Sequence, residues 1–323
     1  MDTNLWSRIG DQDRSAAFEA LVDKREVLVV VPPSTLLEVL RLPEVEPRRR
    51  IISALTARPR VRLPSEAQLE SDEVVAEARR TRPAWCRFMP DTARIARLNA
   101  FWTKGVWRSA REHPETLHDY LQRDSDFLHA LFQAQLRQRH EVLRSRFDIT
   151  RLASLQATPR PEVPPEYLSG WDGAPVDLWR IQTRDLYWHQ LAVVTPRAEL
   201  TNEDTTYADW VGAELDLRRV TSDRADFTRF WLQDVELTAI PRNWSRWAVQ
   251  TVQADQKVTP GNPADAQHSA YLLDCDVYLT SDVRYARTLA AVREQAPFEI
   301  ADPRLVPYDP QASIVDAIAS ALE

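Results

Sequence analysis

Glycine is scarce, with six in 323 residues. None stands in a G-x-x-x-x-G-K-[ST] loop or a G-x-G-x-x-G turn, which excludes nucleotide binding through either backbone cradle. No G-x-S-x-G elbow marks a serine hydrolase. The two cysteines, Cys86 and Cys275, are far apart and support neither a disulfide framework nor a cysteine-rich zinc site. Six histidines include no i, i+4 pair, and His140-Glu141 is not followed by a second histidine. Long apolar runs are absent too: the longest, Val27 to Val31, is far below the ~20 residues that span a bilayer. No secretory leader is visible, so the expectation is a cytoplasmic protein without a membrane partner. Lysine is nearly missing, three among 41 basic residues, and the net charge is −7. The molecule therefore has no general positive field, and any contact with nucleic acid must be local.

What is present is an ordinary globular balance, 44% hydrophobic and 28% charged, over a length that accommodates two domains or one domain with a large insertion. Residues 1–82 alternate helix and strand. Ser15 to Val22 has helical spacing, Glu26 to Val31 is a β-branched run stopped by Pro32-Pro33, and Ser34 can cap a helix carrying Glu38. Arg48 to Ala57 predicts a helix, Arg60 to Leu63 a strand, and Glu66 to Arg82 a polar helix.

From residue 83 the character changes. Phe88 to Phe147 is rich in Trp, Arg, Gln and Leu at helical spacing, with amphipathic helices predicted between Leu117 and Leu143. Pro159 to Pro165 reads as a stiff connector. Trp171 to Val194 and Thr205 to Trp247 look helical again, with starts near Asp177, Asn202 and Ser222.

The alternation resumes after residue 255. Asn262 can cap a helix with Asp265 in its first turn, where the helix dipole favours a carboxylate. Val277 to Thr280 is a short buried strand with Asp282 just beyond its C-terminal end. Arg284 to Arg293 predicts a helix, Phe298 to Ile300 a strand, and Ser313 to Leu322 a terminal helix. Three segments follow: 1–82 and 255–323 as two parts of one α/β domain, and 83–254 as a mainly helical insertion.

Four acids stand out by position: Asp2, Glu38, Asp265 and Asp282. Brought together they would repel by roughly 3 to 4 kcal/mol per close pair at an effective dielectric near 20, unless their pKa values rise or a cation holds them. Oxygen-only ligation suits Mg2+ or Mn2+. Asp274 and Asp276 read as turn residues. His268 follows Asp265 by three residues, and the sequence leaves open whether it faces the acids or the solvent. Arg48-Arg49-Arg50 and the cluster Arg137, Arg139, Arg144 and Arg146 can grip phosphates, although solvated faces paired with Glu and Asp explain them as well. Most of the eleven tryptophans read as core.

In order and placement these acids resemble the PIN domain, a family of metal-dependent nucleases. Met1-Asp2-Thr3-Asn4-Leu5 is similar to the family's first strand end, and Val29 to Val39, ending in Leu37-Glu38-Val39, to its second motif. Asp265 with Ala266 and Ala270 resembles the third, and Leu279-Thr280-Ser281-Asp282 the fourth. The resemblance covers 1–82 and 255–308. It implies a three-layer α/β/α fold with a parallel central sheet and Mg2+ or Mn2+ held by Asp2, Glu38, Asp265 and Asp282. Thr280 and Asn4 would support them in metal-dependent endoribonuclease chemistry on single-stranded RNA. A catalytically inactive scaffold that binds RNA or a protein partner through the insertion is the alternative, and the family also admits an antitoxin partner. Two features depart from the pattern: only Met1 precedes Asp2, and a minimal PIN domain has no such insertion.

Overall fold

A computed structural model describes residues 1–122, 151–159, 163–195, 206–254 and 262–323. Helix α1 (Thr3–Asp11) begins where the Asp2 side chain accepts a hydrogen bond from the Thr3 backbone N–H. Its buried Leu5, Trp6 and Ile9 line one face. That face packs on α4 (Val45–Thr56), and Gly10 allows the close approach, since a Cβ there would stand 3.3 Å from the Arg50 carbonyl. Between them lie α2 (Ser15–Arg25), β1 (Val30–Val31) and α3 (Pro33–Leu40). Strand β1 is shorter than the predicted Glu26 to Val31 run. The end of α2 holds Glu26 in the left-handed region, and Val22 takes the Val27 N–H.

Strand β2 (Val61–Arg62) pairs in parallel with β1, Val30 opposite Val61 and Val31 opposite Arg62. Helix α5 (Glu66–Thr81) starts at a Ser65 cap. Next, α6 (Thr92–Ala100) runs through a π-type turn at Phe101–Gly105 into α7 (Val106–Glu112), and α8 (Pro114–Gln122) follows. Most of the predicted Leu117 to Leu143 helices, the second arginine cluster, part of the proline connector and Asn202 lie outside the described residues.

The middle of the chain is helical as expected, with α9 (Leu178–Trp188), α10 (Thr206–Glu214) and α11 (Pro241–Ala254). One detail differs from the sequence reading and one agrees with it. Strand β4 (Val176–Asp177), inside the Trp171 to Val194 stretch read as helical, pairs antiparallel with β3 (Gln156–Ala157), and Asp223 caps the helical turn Arg224–Arg229, beside the start expected near Ser222.

Helix α12 (Asn262–Ser269) carries Asp265, and the Asn262 side chain lies outside what is described. Then come β5 (Val277–Thr280), α13 (Val283–Gln295), β6 (Asp302–Leu305) and α14 (Ile314–Ala321). Strand β6 runs parallel to β5 and lies beyond the predicted Phe298 to Ile300. Phe298 is instead a core contact, its ring edge-on to Trp244.

The architecture is thus α-rich and mixed. Two parallel strand pairs are present, with β1, β2 and β5 inside predicted strands and β6 just beyond one, while a continuous central sheet between two helical layers is not delineated among the described residues. Two cores hold the molecule together. One gathers Leu5, Trp6, Leu36, Ile51, Trp107, Leu279 and Ile318, and the other gathers Val75, Trp85, Trp179, Trp231, Trp244, Tyr278 and Leu289. Both draw on residues from either side of positions 82 and 254. Among the described residues no helix is long and apolar enough to cross a membrane.

Candidate functional site

The site begins with the turn that launches α1. The Asp2 backbone N–H donates to the Leu279 carbonyl at 2.8 Å, so this residue runs along the edge of β5 not used by β6. Its carboxylate is buried. Oδ1 accepts the Thr3 N–H at 2.7 Å, and Oδ2 accepts Asn4 Nδ2 at 2.9 Å and a short bond from the Thr280 hydroxyl. Thr280 and Asn4 therefore hold the Asp2 carboxylate.

Glu38 reaches the same place from α3, where Pro33 at the first helical position sets the helix direction. Its Oε2 accepts the Thr3 hydroxyl and lies 3.1 Å from His268 Nε2. Oε1 has no hydrogen-bond partner among the described residues, and the side chain is 34% exposed, so the cluster opens to solvent through Glu38. His268 itself is 2% exposed, with Nδ1 2.9 Å from the Ser34 hydroxyl. One ligating atom each from Asp2, Glu38 and His268 lies within 4.8 Å of the others.

Asp265 stands one helical turn before His268. It is half-buried, its Oδ2 accepts Gln253 Nε2 at 2.8 Å, and its carbonyl accepts the Tyr285 hydroxyl at 2.8 Å.

Charge ties these groups together. Burial raises the Asp265 pKa to about 7, and the Asp2 charge pushes the same way. Burial also raises Asp2, against the opposing pull of His268 and the Thr280 hydrogen bond. For Glu38 burial alone would raise the pKa, but the hydrogen bond and charge of His268 with the Thr3 hydroxyl outweigh it and leave it lowered. Burial alone would lower His268. The hydrogen bond to Glu38 and the charges of Glu38, Asp2 and Asp265 reverse that, so the imidazole is raised. Three carboxylates thus share one imidazole.

Asp282 has another job. It is exposed, and its Oδ1 caps α13 by accepting the N–H groups of Arg284 at 2.7 Å and Tyr285 at 3.0 Å. Among the four predicted acids, Asp2, Glu38 and Asp265 are coupled, and Asp282 is committed to a helix start. Asp274, read as a turn residue, sits in a turn and is the bidentate partner of Arg242.

Sequence reasoning did not single out Thr3 or Gln253, read Ser34 as a helix cap although it lies inside the helix and meets His268, and left His268 open. The i, i+3 spacing from Asp265 was the available signal for His268, because it puts both on one helix face. Arg48-Arg49-Arg50 is no phosphate grip here: Arg48 is buried on the Leu42 carbonyl, Arg49 pairs with Glu115 and Arg50 with Asp11.

The donor set can be tested for a cation. Asp2 accepts three hydrogen bonds of the roughly four its oxygens can take, Glu38 keeps one oxygen free, and a half-buried acid with a pKa of about 7 lies alongside. These residues fit a divalent cation. An imidazole beside carboxylates shifts the preference within the expected Mg2+ or Mn2+ toward Mn2+. No protein-family model, curated protein or solved structure matches the chain.

Proposed function

We propose that the chain is a Mn2+-preferring hydrolase of phosphodiester bonds, an endoribonuclease acting on single-stranded RNA. The observation that carries the reading is the gathering of Asp2, Glu38 and His268 within 4.8 Å, with Asp265 in the same field. Buried acids that outnumber their cations cost stability, and a divalent ion offsets that cost. The parallel pairs support the PIN-like arrangement. Asp2 adds to the free edge of β5, and Val31 of β1 shares a core with Leu279 of β5, which suits the order β2, β1, the Asp2 segment, β5, β6. The acids then lie at the C-terminal ends of the strands, where open α/β sheets bind ligands.

Asp2, Glu38 and Asp265 would hold the ion, with His268 as a nitrogen ligand or as the support of Glu38. When bound, the ion supplies charge neutralisation at the phosphate and a water of lowered pKa. The protein's own part is to orient. Thr280 and Asn4 fix the Asp2 carboxylate, Thr3 and His268 fix Glu38, Ser34 fixes the imidazole, and Gln253 turns Asp265 inward. The free Oε1 of Glu38 is the group placed to take a proton from an entering water.

A labelled single-stranded oligoribonucleotide incubated with Mn2+, Mg2+ or EDTA tests the reading. Internal cleavage should require the divalent ion, be faster with Mn2+, and fall at least about 100-fold in Glu38→Gln. No cleavage with any cation, or equal cleavage by Glu38→Gln, would overturn it. One observation favours a second reading. The His268–Glu38 contact already neutralises one carboxylate, as a scaffold that needs no ion would arrange. In that case Mn2+ leaves the melting temperature unchanged.

A further inference from the structure

A second cavity, of about 490 Å3, lies apart from the carboxylates between β2 and the α6–α7 helix. Its lining carries four cations, Arg62, Lys104, Arg108 and Arg111, and no carboxylate. Lys104, Arg108 and Arg111 follow an i, i+4, i+7 spacing that puts them on one helix face. All three are exposed. Arg62 projects from the strand opposite them. Its guanidinium lies 5.1 Å from the centre of the buried Trp107 ring and donates to the Thr103 carbonyl at 3.3 Å. Anchored in this way, it cannot swing out to relieve the repulsion.

Several arginines nearby in sequence are paired instead. Arg49 pairs with Glu115, Arg50 with Asp11, Arg58 with Asp23, Arg60 with Glu19 and Arg94 with Asp209. Among the described residues none of the four cavity cations forms an ion pair. In a chain of net charge −7 a positive concavity with no carboxylate in its described lining is a local departure from the overall charge. Burial lowers the Arg62 pKa, and Arg111 lowers it further.

The rim adds a second chemistry. Phe101 is 46% exposed, and its ring lies against Gly105, where a Cβ would meet it at 3.4 Å. Gly105 lines the cavity, so an exposed aromatic face adjoins the cations. Cations that track phosphates beside an aromatic on which a base can stack are the two components of single-strand binding. The position also suits a substrate. Arg62 ends β2 and pairs with Val31, which ends β1, and β1 leads through Pro32 into the helix bearing Glu38. Cavity and carboxylates thus belong to the same C-terminal edge of the parallel strands.

We infer that this cavity is a docking site for the phosphate backbone of single-stranded nucleic acid. Arg62, Lys104, Arg108 and Arg111 contact phosphates, and Phe101 stacks on a base. It rests on the proposed nuclease reading for its substrate, RNA, but binding is measured without cleavage.

The test uses the full chain in EDTA and a fluorescein-labelled 12-mer oligouridylate, read by anisotropy across a salt series. Arg108→Glu/Arg111→Glu should weaken binding about tenfold or more near 100 mM salt. It should also flatten the logarithmic salt slope by about 0.7 for each phosphate that is no longer neutralised. Phe101→Ala should weaken it about five- to tenfold with the salt slope unchanged, in line with the 1 to 3 kcal/mol of a base–aromatic stack. Arg287→Glu, an exposed reversal on α13, should bind as the wild type does.

If the double variant does not fold, Lys104→Glu alone should still cost about threefold. Unlabelled oligouridylate should displace the probe far better than inorganic phosphate at equal phosphate concentration. Equal displacement would mean a small-anion site and overturn the inference, as would unchanged binding and slope in the double variant. Loss of binding in the double variant together with no cleavage by the wild type would keep the docking site and remove the hydrolase reading.

Discussion

Two buried ionic assemblies in this molecule look alike in composition and differ in arithmetic. Around Glu70, which is fully buried, Arg246 Nε lies 2.8 Å from Oε1 and the Tyr207 hydroxyl donates to Oε2 at 2.6 Å. Asn243 joins this group by donating to the Glu70 carbonyl at 3.1 Å and to Glu73 at 2.9 Å. There the carboxylates of Glu70 and Glu73 meet the guanidiniums of Arg246 and Arg242. Around Asp2, three carboxylates share one imidazole, with Arg41 acting on Glu38 and the terminal ammonium on Asp2 by charge alone. Burial raises both Glu70 and Asp2, so burial does not distinguish them. The ratio of opposite charges in contact does. The first set is closed and braces α5 against α11, while in the second Glu38 Oε1 has no hydrogen-bond partner among the described residues.

The largest expected effect breaks the closed set. Glu70→Ala leaves the Arg246 guanidinium buried and unpaired and should cost about 3 to 5 kcal/mol in urea denaturation. A loss under 1 kcal/mol would show that the pair is not a brace.

Next is Glu73, whose pKa burial raises from 4.5 to about 7 against hydrogen bonds from Arg242 and Asn243. The folded state then holds this proton to a higher pH than the unfolded chain does, so stability falls as pH rises from 4.5 through about 7. Glu73→Gln should flatten that slope, by at most about 3 kcal/mol across the window, less what the altered hydrogen bonds subtract. An unchanged pH profile would contradict the assignment.

For the open set, Mn2+ at a hundredfold excess over its dissociation constant should stabilise the wild type by about 2.7 kcal/mol. Asp2→Asn and Glu38→Gln should lose this gain, and Glu73→Gln should keep it. A gain that survives in Glu38→Gln would place the ion elsewhere.

The smallest effect concerns Asp282. Replacement by Ala should cost about 1 kcal/mol as a lost helix cap and replacement by Asn only a few tenths, with cleavage unaffected by Asn. Loss of cleavage in Asp282→Asn at unchanged stability would return Asp282 to the site.

Much of this was legible in the sequence for a physical reason. Asp2 and Asp265 sit at helix starts and Glu38 in the short helix that follows β1, and such places are marked by local chemistry: Pro32-Pro33, a first-turn aspartate, a β-branched run. Asp282 carries the same marks and does something else, because a carboxylate just before a helix serves as well for a cap as for a ligand. His268 was invisible as a partner because its role depends on Glu38 and Ser34, more than two hundred residues away. The first strand was overestimated for a similar reason. Valine-rich Glu26 to Val31 favours β structure, but the end of the preceding helix had already claimed the N–H groups of Glu26 and Val27. The basic cavity went unremarked since Arg62 and the α7 cations are ordinary until β2 and α7 face each other.

The hydrogen bond from Thr280 to Asp2 spans 278 residues. Closing so long a loop costs about 5 kcal/mol of chain entropy before any contact rewards it, so it belongs to the late events of folding. Synthesis delivers Asp2 and Glu38 first and Asp265, His268 and Thr280 only near the other end of the chain. A ribosome-bound intermediate, a stalled product or a proteolytic fragment ending before residue 265 carries Asp2 and Glu38 with Thr3 and Asn4, but lacks Asp265, His268 and Thr280. The assembled cluster is therefore withheld from the nascent polypeptide by topology alone and forms only once β5 has docked against the first helix.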